Sequence, residues 1–371
     1  MDRKDDNSTK PKEDLDQVTG CSLTWEDEPA VVASFACFAA YIVYGASASS
    51  LGAALPSLAE HFNRSKAGFG LAFTIRGIGY FVGTLASAWI LNLKQIPTKE
   101  MMTCFALLFT GITQGIISGT DNFSLAMVCF FIQGFGFGGI DTMANCVLPE
   151  VWGRRVQPWM QALHSFFGIG AILGPAFVGA ISYQTAFVII MVASFAPLIG
   201  LVAYRLIKTP PCISVNQHTP LVDESASAAE SIKDSSEVDS IKIAPYFLRF
   251  VVSLFFFLYV GVETGFAGWI PTYVLLEDVT DSNSKAAYLS SIFWAFLTAG
   301  RVLAIFTALM ISATTMIRLQ LGMIMVICFL ALFLLDVNYT ITAAMCGLLG
   351  FSLSSVFPVM MTLFGDYGFA M

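Results

Sequence analysis

Charge is what this sequence has least of. Only 12% of its 371 residues are Asp, Glu, Lys or Arg, while 56% are hydrophobic; a soluble globular domain carries roughly 25% charged residues. Most of the chain is therefore unsuited to a water-soluble fold. No short apolar core with a cleavage site precedes the first long hydrophobic run. Residues 1–30 are polar and mixed in charge, so the first span is expected to act as its own insertion signal. The phosphate-loop pattern GxxxxGK followed by Ser or Thr is missing, which argues against an ATP-driven pump. The eight cysteines contain no CxxC and no Cys/His cluster, which argues against a zinc site or a disulfide framework. No nucleophile–base arrangement stands out, so no enzyme is expected. Neither a cofactor, a resident metal nor a nucleic-acid partner is expected. The net charge of −7 sits largely in two polar segments and points to no ligand of opposite sign.

What the chain has is hydrophobic length. Ten runs, roughly 31–55, 67–91, 101–119, 123–149, 159–182, 186–206, 245–275, 286–311, 316–336 and 339–364, recur along it. Each reaches the ~20 residues a bilayer-crossing helix needs. The expectation is an all-α, polytopic membrane protein. It would have a polar tail over 1–30, a six-helix half over 31–206, a Ser-rich acidic linker over 207–243, and a four-helix half over 244–371. The linker, with its SASAAESIKDSSEVDS stretch, has the composition of a disordered segment. Fourteen Lys and Arg fall in segments on the side of the N-terminus, among them Lys99, Arg154, Arg155 and Lys208; only Arg64, Lys66 and Lys285 fall on the other. That bias predicts a cytoplasmic N-terminus. The sequons at Asn63, Asn122 and Asn338 then all lie outside, where glycans are added.

A weak repeat relates the two halves. Span one reads YGASASSLGAALP, with Gly45 and Gly52 separated by six residues and then Pro56; span seven reads GVETGFAGWIP, with Gly261 and Gly268 separated by six and then Pro271. Paired repeats of this kind mark transporter folds, with the solute site near the midplane.

Arg76, Asp141, Glu263 and Arg301 lie inside these spans. A charge at the bilayer centre costs about 2.5–3.5 kcal/mol on insertion scales, so each should face protein or a wet cavity. Helical spacing groups them into stripes: Gly134, Gly138, Asp141 and Asn145; Gln161, His164 and Gly168; Tyr259 and Glu263; Ser290, Trp294, Leu297 and Arg301. GFGFGG, before Asp141, follows an apolar span rather than a strand and is not a dinucleotide motif. Blander roles stay open: an Asp141–Arg301 structural pair, a packing role for His164 and Trp294, a structural or gate-plugging role for Arg76. Gly170, Gly174 and Pro175 read as close packing in a bent helix.

The stretches RGIGYFVGTLASA, GGIDTMANCVLPEVWG, MQALHSFFGIGAILGP and LSSIFWAFLTAGR carry a family resemblance. The chain resembles the major facilitator superfamily, in particular its fucose permease-like group and, within that, the animal sodium-dependent glucose transporter type. The resemblance implies a bundle of two six-helix halves working by alternating access, here with ten of the expected twelve spans and a C-terminally truncated second half. It implies a sugar-like solute and possible coupling to Na+ or H+, with multi-pass residence in the plasma membrane. Asp141, Asn145, Gln161, His164 and Glu263 match the family's polar positions, and Trp294 would cover a pyranose face. Between spans two and three, SAWILNLKQIPTK places Asn92 near the usual acid. Two rival readings use the same residues: a transport-inactive binding or regulatory partner, and an organic-anion carrier using Arg76 and Arg301.

Overall fold

The computed structural model describes residues 28–91, 99–153, 156–207, 245–307 and 310–360. Nearly all of the expected tail and linker lie outside the described residues, as do Asn92, Arg154, Arg155 and residues 361–371. In hydrocarbon every backbone N–H and C=O needs a partner within the protein, and a helix supplies it inside one segment. The described residues form helices and no strand: α1 (Glu28–His61), α2 (Lys66–Phe69), α3 (Leu71–Leu91), α4 (Lys99–Gly119), α5 (Phe123–Trp152), α6 (Val156–Ala180), α7 (Tyr183–Ile207), α8 (Pro245–Leu276), α9 (Asn283–Thr307), α10 (Ala313–Leu334) and α11 (Tyr339–Leu353). Ten segments are long and apolar enough to cross a membrane; α2 and α3 together make one, and α11 with the turn after it makes another. The protein is thus all-α and polytopic. We call the face on which α1 begins proximal and the opposite face distal.

Helix limits differ from the apolar runs in two ways. α1 extends past the hydrophobic stretch at both ends, because the hydrogen-bond ladder continues where side chains can meet water. The tenth span, expected over 339–364, breaks at Ser354–Ser355 before a last helical turn; serine side chains there compete for backbone partners. Two of the sequon asparagines are helix N-caps. Asn122 Oδ1 accepts from the Leu125 N–H at 3.1 Å and Asn338 Oδ1 from the Ile341 N–H at 3.0 Å, satisfying otherwise orphaned first-turn donors.

Glycines set the tightest packing. A Cβ on Gly45 would fall 2.1 Å from the Phe167 carbonyl oxygen, and one on Gly170 would fall 2.0 Å from that of Ile42, so α1 and α6 meet backbone to backbone. α3 and α5 do the same at Gly79 and Gly134, as do α9 and α11 at Gly350. With no hydrophobic drive between helices in lipid, such close approach supplies van der Waals contact and is how small residues join spans. Buried clusters fill α1–α7 at both faces, and a third fills α8–α11, reaching Ala171 of α6. Large apolar side chains such as Phe81, Trp89, Phe257, Met325 and Leu332 point outward and are exposed, as lipid-facing residues are.

The two helix groups meet along a seam from mid-span to the distal face. Gly52 of α1 abuts Gly268 of α8, Gly168 of α6 abuts Thr298 of α9, and Gly179 abuts Tyr288. Ser291 Oγ donates to the Ile172 carbonyl at 3.0 Å. Gly52 and Gly268 are the pair that the sequence repeat superposes. If two repeats are related by a two-fold axis, a residue touching its own counterpart lies on that axis.

Candidate functional site

α5 aims its polar stripe between α1 and α3. Tyr41 of α1 and Tyr80 of α3 each donate a hydroxyl to Asp141, to Oδ1 and Oδ2 respectively, both at 2.6 Å. Asn145, one turn along, donates its amide to the Tyr41 oxygen at 2.9 Å and to Asp141 Oδ1 at 3.2 Å. Gly134 and Gly138, on the same stripe, let α5 press against the backbone of Arg76 and Tyr80, which brings Tyr80 within reach. Among the described residues Asp141 has no ion pair; neutral donors hold its carboxyl group. Asp141 and Asn145 are only partly buried.

Gln161 and His164 of α6 continue this patch. The His164 ring lies 6.0 Å from that of Tyr41 and 5.8 Å from that of Phe357, so it stands between the two helix groups. Both side chains are partly buried, and neither has a hydrogen-bond partner among the described residues.

On the other side of the seam Glu263 and Arg301 form a pair. Arg301 Nη2 donates to both Glu263 oxygens, at 3.0 and 3.1 Å, and Nε donates to the Ser354 carbonyl at 3.1 Å. Both residues are under 10% exposed. The alternative Asp141–Arg301 pairing is corrected here: the arginine reaches the acid of the adjacent helix instead, although no deep arginine lies beside Glu263 in sequence. Tyr259, one turn before Glu263, donates to the Leu353 carbonyl at 2.8 Å.

The other residues singled out from sequence sit in tighter packing. Trp294 is 2% exposed and meets Phe167 and Phe293 edge-on, at 5.7 and 5.5 Å between ring centres. Arg76 Nη2 donates to the Ala48 carbonyl at 2.9 Å, and its guanidinium lies 5.6 Å from the rings of both Phe73 and Phe137. Gly170 and Gly174 press on the α1 backbone, and Pro175 lies inside α6.

A profile described as Major Facilitator Superfamily matches residues 37–368. The chain belongs to this superfamily. Among its relatives, "Sodium-dependent glucose transporter 1" of Homo sapiens is 28% identical over 343 residues, covering 86% of this chain and 65% of the relative. "Bypass of stop codon protein 6" of Saccharomyces cerevisiae is 24% identical over 298 residues, covering 77% of this chain and 59% of the relative. The chain thus spans about three-fifths of the length of these two relatives. The crystal structure of a D-xylose-proton symporter superposes with a TM-score of 0.67 at 12% identity, over 90% of this chain and 82% of that one, a likeness of fold.

Within this superfamily fold, several residues near the site escaped the sequence reading. Tyr41 shares a face with Gly45 one turn on, a stripe of the kind that flagged Asp141. Gln114 and Gln133 are each 1% exposed. The Gln114 carbonyl oxygen accepts from Ser47 Oγ at 2.8 Å and from the Gln133 amide. An uncharged amide in an apolar run was the signal available, and a search for charge passes it over.

Proposed function

We propose that this superfamily member carries a small polar solute, a hexose, across the membrane by alternating access, with Na+ or H+ as a coupling ion. The Asp141 cluster carries this reading: a carboxyl group, two phenols and an amide converge within the spans, with no ion pair to the carboxyl group among the described residues. Such a set can accept from and donate to sugar hydroxyls, and His164 beside it leads toward the seam between the two repeats, the region where transporter folds of this kind hold solutes. Gln161 and His164 supply polar groups on the adjoining helix that have no hydrogen-bond partner among the described residues. Glu263 and Arg301 would respond to the solute or ion from the second half, and Trp294 would wall the cavity. An organic-anion cargo is less well supported, since Arg301 is neutralised by Glu263. In this reading residues 31–206 and 244–371 form the two moving parts, joined by the 207–243 linker. The proximal face is cytoplasmic, by the Lys/Arg bias, and the plasma membrane is the site of action.

The deciding experiment is uptake of labelled glucose by proteoliposomes containing the chain, with Na+ replaced by choline in one series and a pH gradient imposed in another. Uptake that Asp141→Asn abolishes supports the site. Uptake unchanged from the unmodified chain in both Asp141→Asn and Glu263→Gln would remove it, and dependence on one gradient alone would name the ion.

A further inference from the structure

The α6–α9 seam holds two polar atoms that the reading above leaves unused. Trp294 Nε1 and Thr298 Oγ1 are shielded from solvent, and neither has a hydrogen-bond partner among the described residues. The two residues are four apart on α9, so their side chains leave the same helix face one turn from each other. That face looks at α6. The Trp294 ring meets Phe167, and Thr298 Oγ1 lies only 2.1 Å from where a Cβ on Gly168 would stand. Any side chain at 168 would displace the hydroxyl. Neighbouring serines on α9 are satisfied: Ser290 Oγ donates to the Ala267 carbonyl at 2.8 Å, and Ser291 Oγ to that of Ile172. The unsatisfied pair is therefore confined to the mid-membrane part of the seam, one turn from Arg301 on α9 and, across Gly168, one turn from His164 on α6. An indole N–H only donates; a threonine hydroxyl donates and accepts. A buried donor without an acceptor is unfavourable, and an oxygen-bearing ligand relieves it.

We propose that Trp294 Nε1 and Thr298 Oγ1 form a two-point subsite for oxygens along one edge of a pyranose, reached when α9 draws back from Gly168. The proposal rests on the sugar-transport reading and adds to it. Thr298 becomes a specificity-determining residue, and Trp294 acts through its N–H as well as its ring. Closing the seam on Gly168 after release returns both groups to the dry packing seen here.

The test uses the whole chain in proteoliposomes. Thr298→Val keeps the shape and removes the hydroxyl; Trp294→Phe keeps an aromatic ring and removes the N–H. KM and maximal rate are measured for glucose and for each monodeoxyglucose. Each variant should raise the glucose KM roughly tenfold, the scale of one lost buried hydrogen bond. Each should also erase the penalty that the unmodified chain shows for one particular deoxy position. Unchanged KM and an unchanged deoxy profile in both variants, with uptake by the unmodified chain intact, would overturn the subsite alone. Absence of hexose uptake by the unmodified chain would overturn the transport reading and the subsite with it. Should Thr298→Val fail to reconstitute, Thr298→Ser and Thr298→Ala are compared: KM held by serine and raised by alanine upholds the proposal, and equal values overturn it.

Discussion

Gly52 of α1 and Gly268 of α8 touch without an intervening side chain: a Cβ on Gly52 would stand 2.6 Å from both the Cα and the carbonyl oxygen of Gly268. The contact lies toward the distal face and holds the two helix groups together there. The groups meet backbone to backbone where the repeat pairs two residues that have no side chain to move aside.

Gly52→Ala should therefore push α1 from α8 and destabilise the fold by about 1–3 kcal/mol, the range for overpacking. Gly261→Ala is the control, because a Cβ there meets no atom within 4 Å; a helical Gly→Ala change in open space is neutral or stabilising. Thermal unfolding in detergent compares them, and equal midpoints would contradict the close contact.

The two tyrosines on Asp141 should not be equivalent. Removing either hydroxyl deletes a hydrogen bond to a carboxylate, about 1.5–3 kcal/mol. Tyr41 also accepts from the Asn145 amide, so Tyr41→Phe should lower the unfolding midpoint and glucose uptake more than Tyr80→Phe does. The reverse ranking would place the weight of the cluster on α3.

For Glu263 and Arg301, losing one partner leaves a buried charge unpaired, a cost of about 3–5 kcal/mol, whereas replacing both is often close to neutral. Glu263→Gln and Arg301→Met alone should each depress thermal stability, and the double variant should regain most of it. Transport should stay low in the double variant. Full recovery of uptake would make the pair a structural clasp.

Orientation has its own check. Asn63 is exposed in the distal turn after α1 and adopts φ 51°, a left-handed conformation that Asn and Asp tolerate better than most residues. Asn63→Asp should thus remove a glycan, read as a gel shift after expression in a glycosylating cell, without disturbing the turn. A tag on the N-terminus should be digested by added protease only after permeabilisation.

Much of the fold was legible because its signal is local. Apolar length marked the ten spans, and the 4, 3, 4 spacing of Gly134, Gly138, Asp141 and Asn145 marked the face α5 turns inward. What periodicity cannot supply is the neighbour across the gap. It put Arg301 on an inward face yet offered only Asp141 as its partner, and the true partner, Glu263, depends on which helices pack together. Tyr41 and Tyr80 were missed for a related reason: 100 and 61 residues separate them from the carboxyl group they bind, and an isolated tyrosine in a membrane span is ordinary. The break at Ser354–Ser355 stayed hidden since hydropathy runs on smoothly through it.

The zipper between α1 and α6 has a mechanical consequence. From Gly45 to Gly174 the two helices rest main chain on main chain, leaving no rotamers to absorb slip, so they must travel as one rod. α6 carries Gly168 against Thr298, and α1 carries Tyr41, which grips Asp141. A displacement that parts α6 from α9 therefore carries Tyr41 with it and pulls on the Asp141 cluster, although Thr298 and Asp141 never touch.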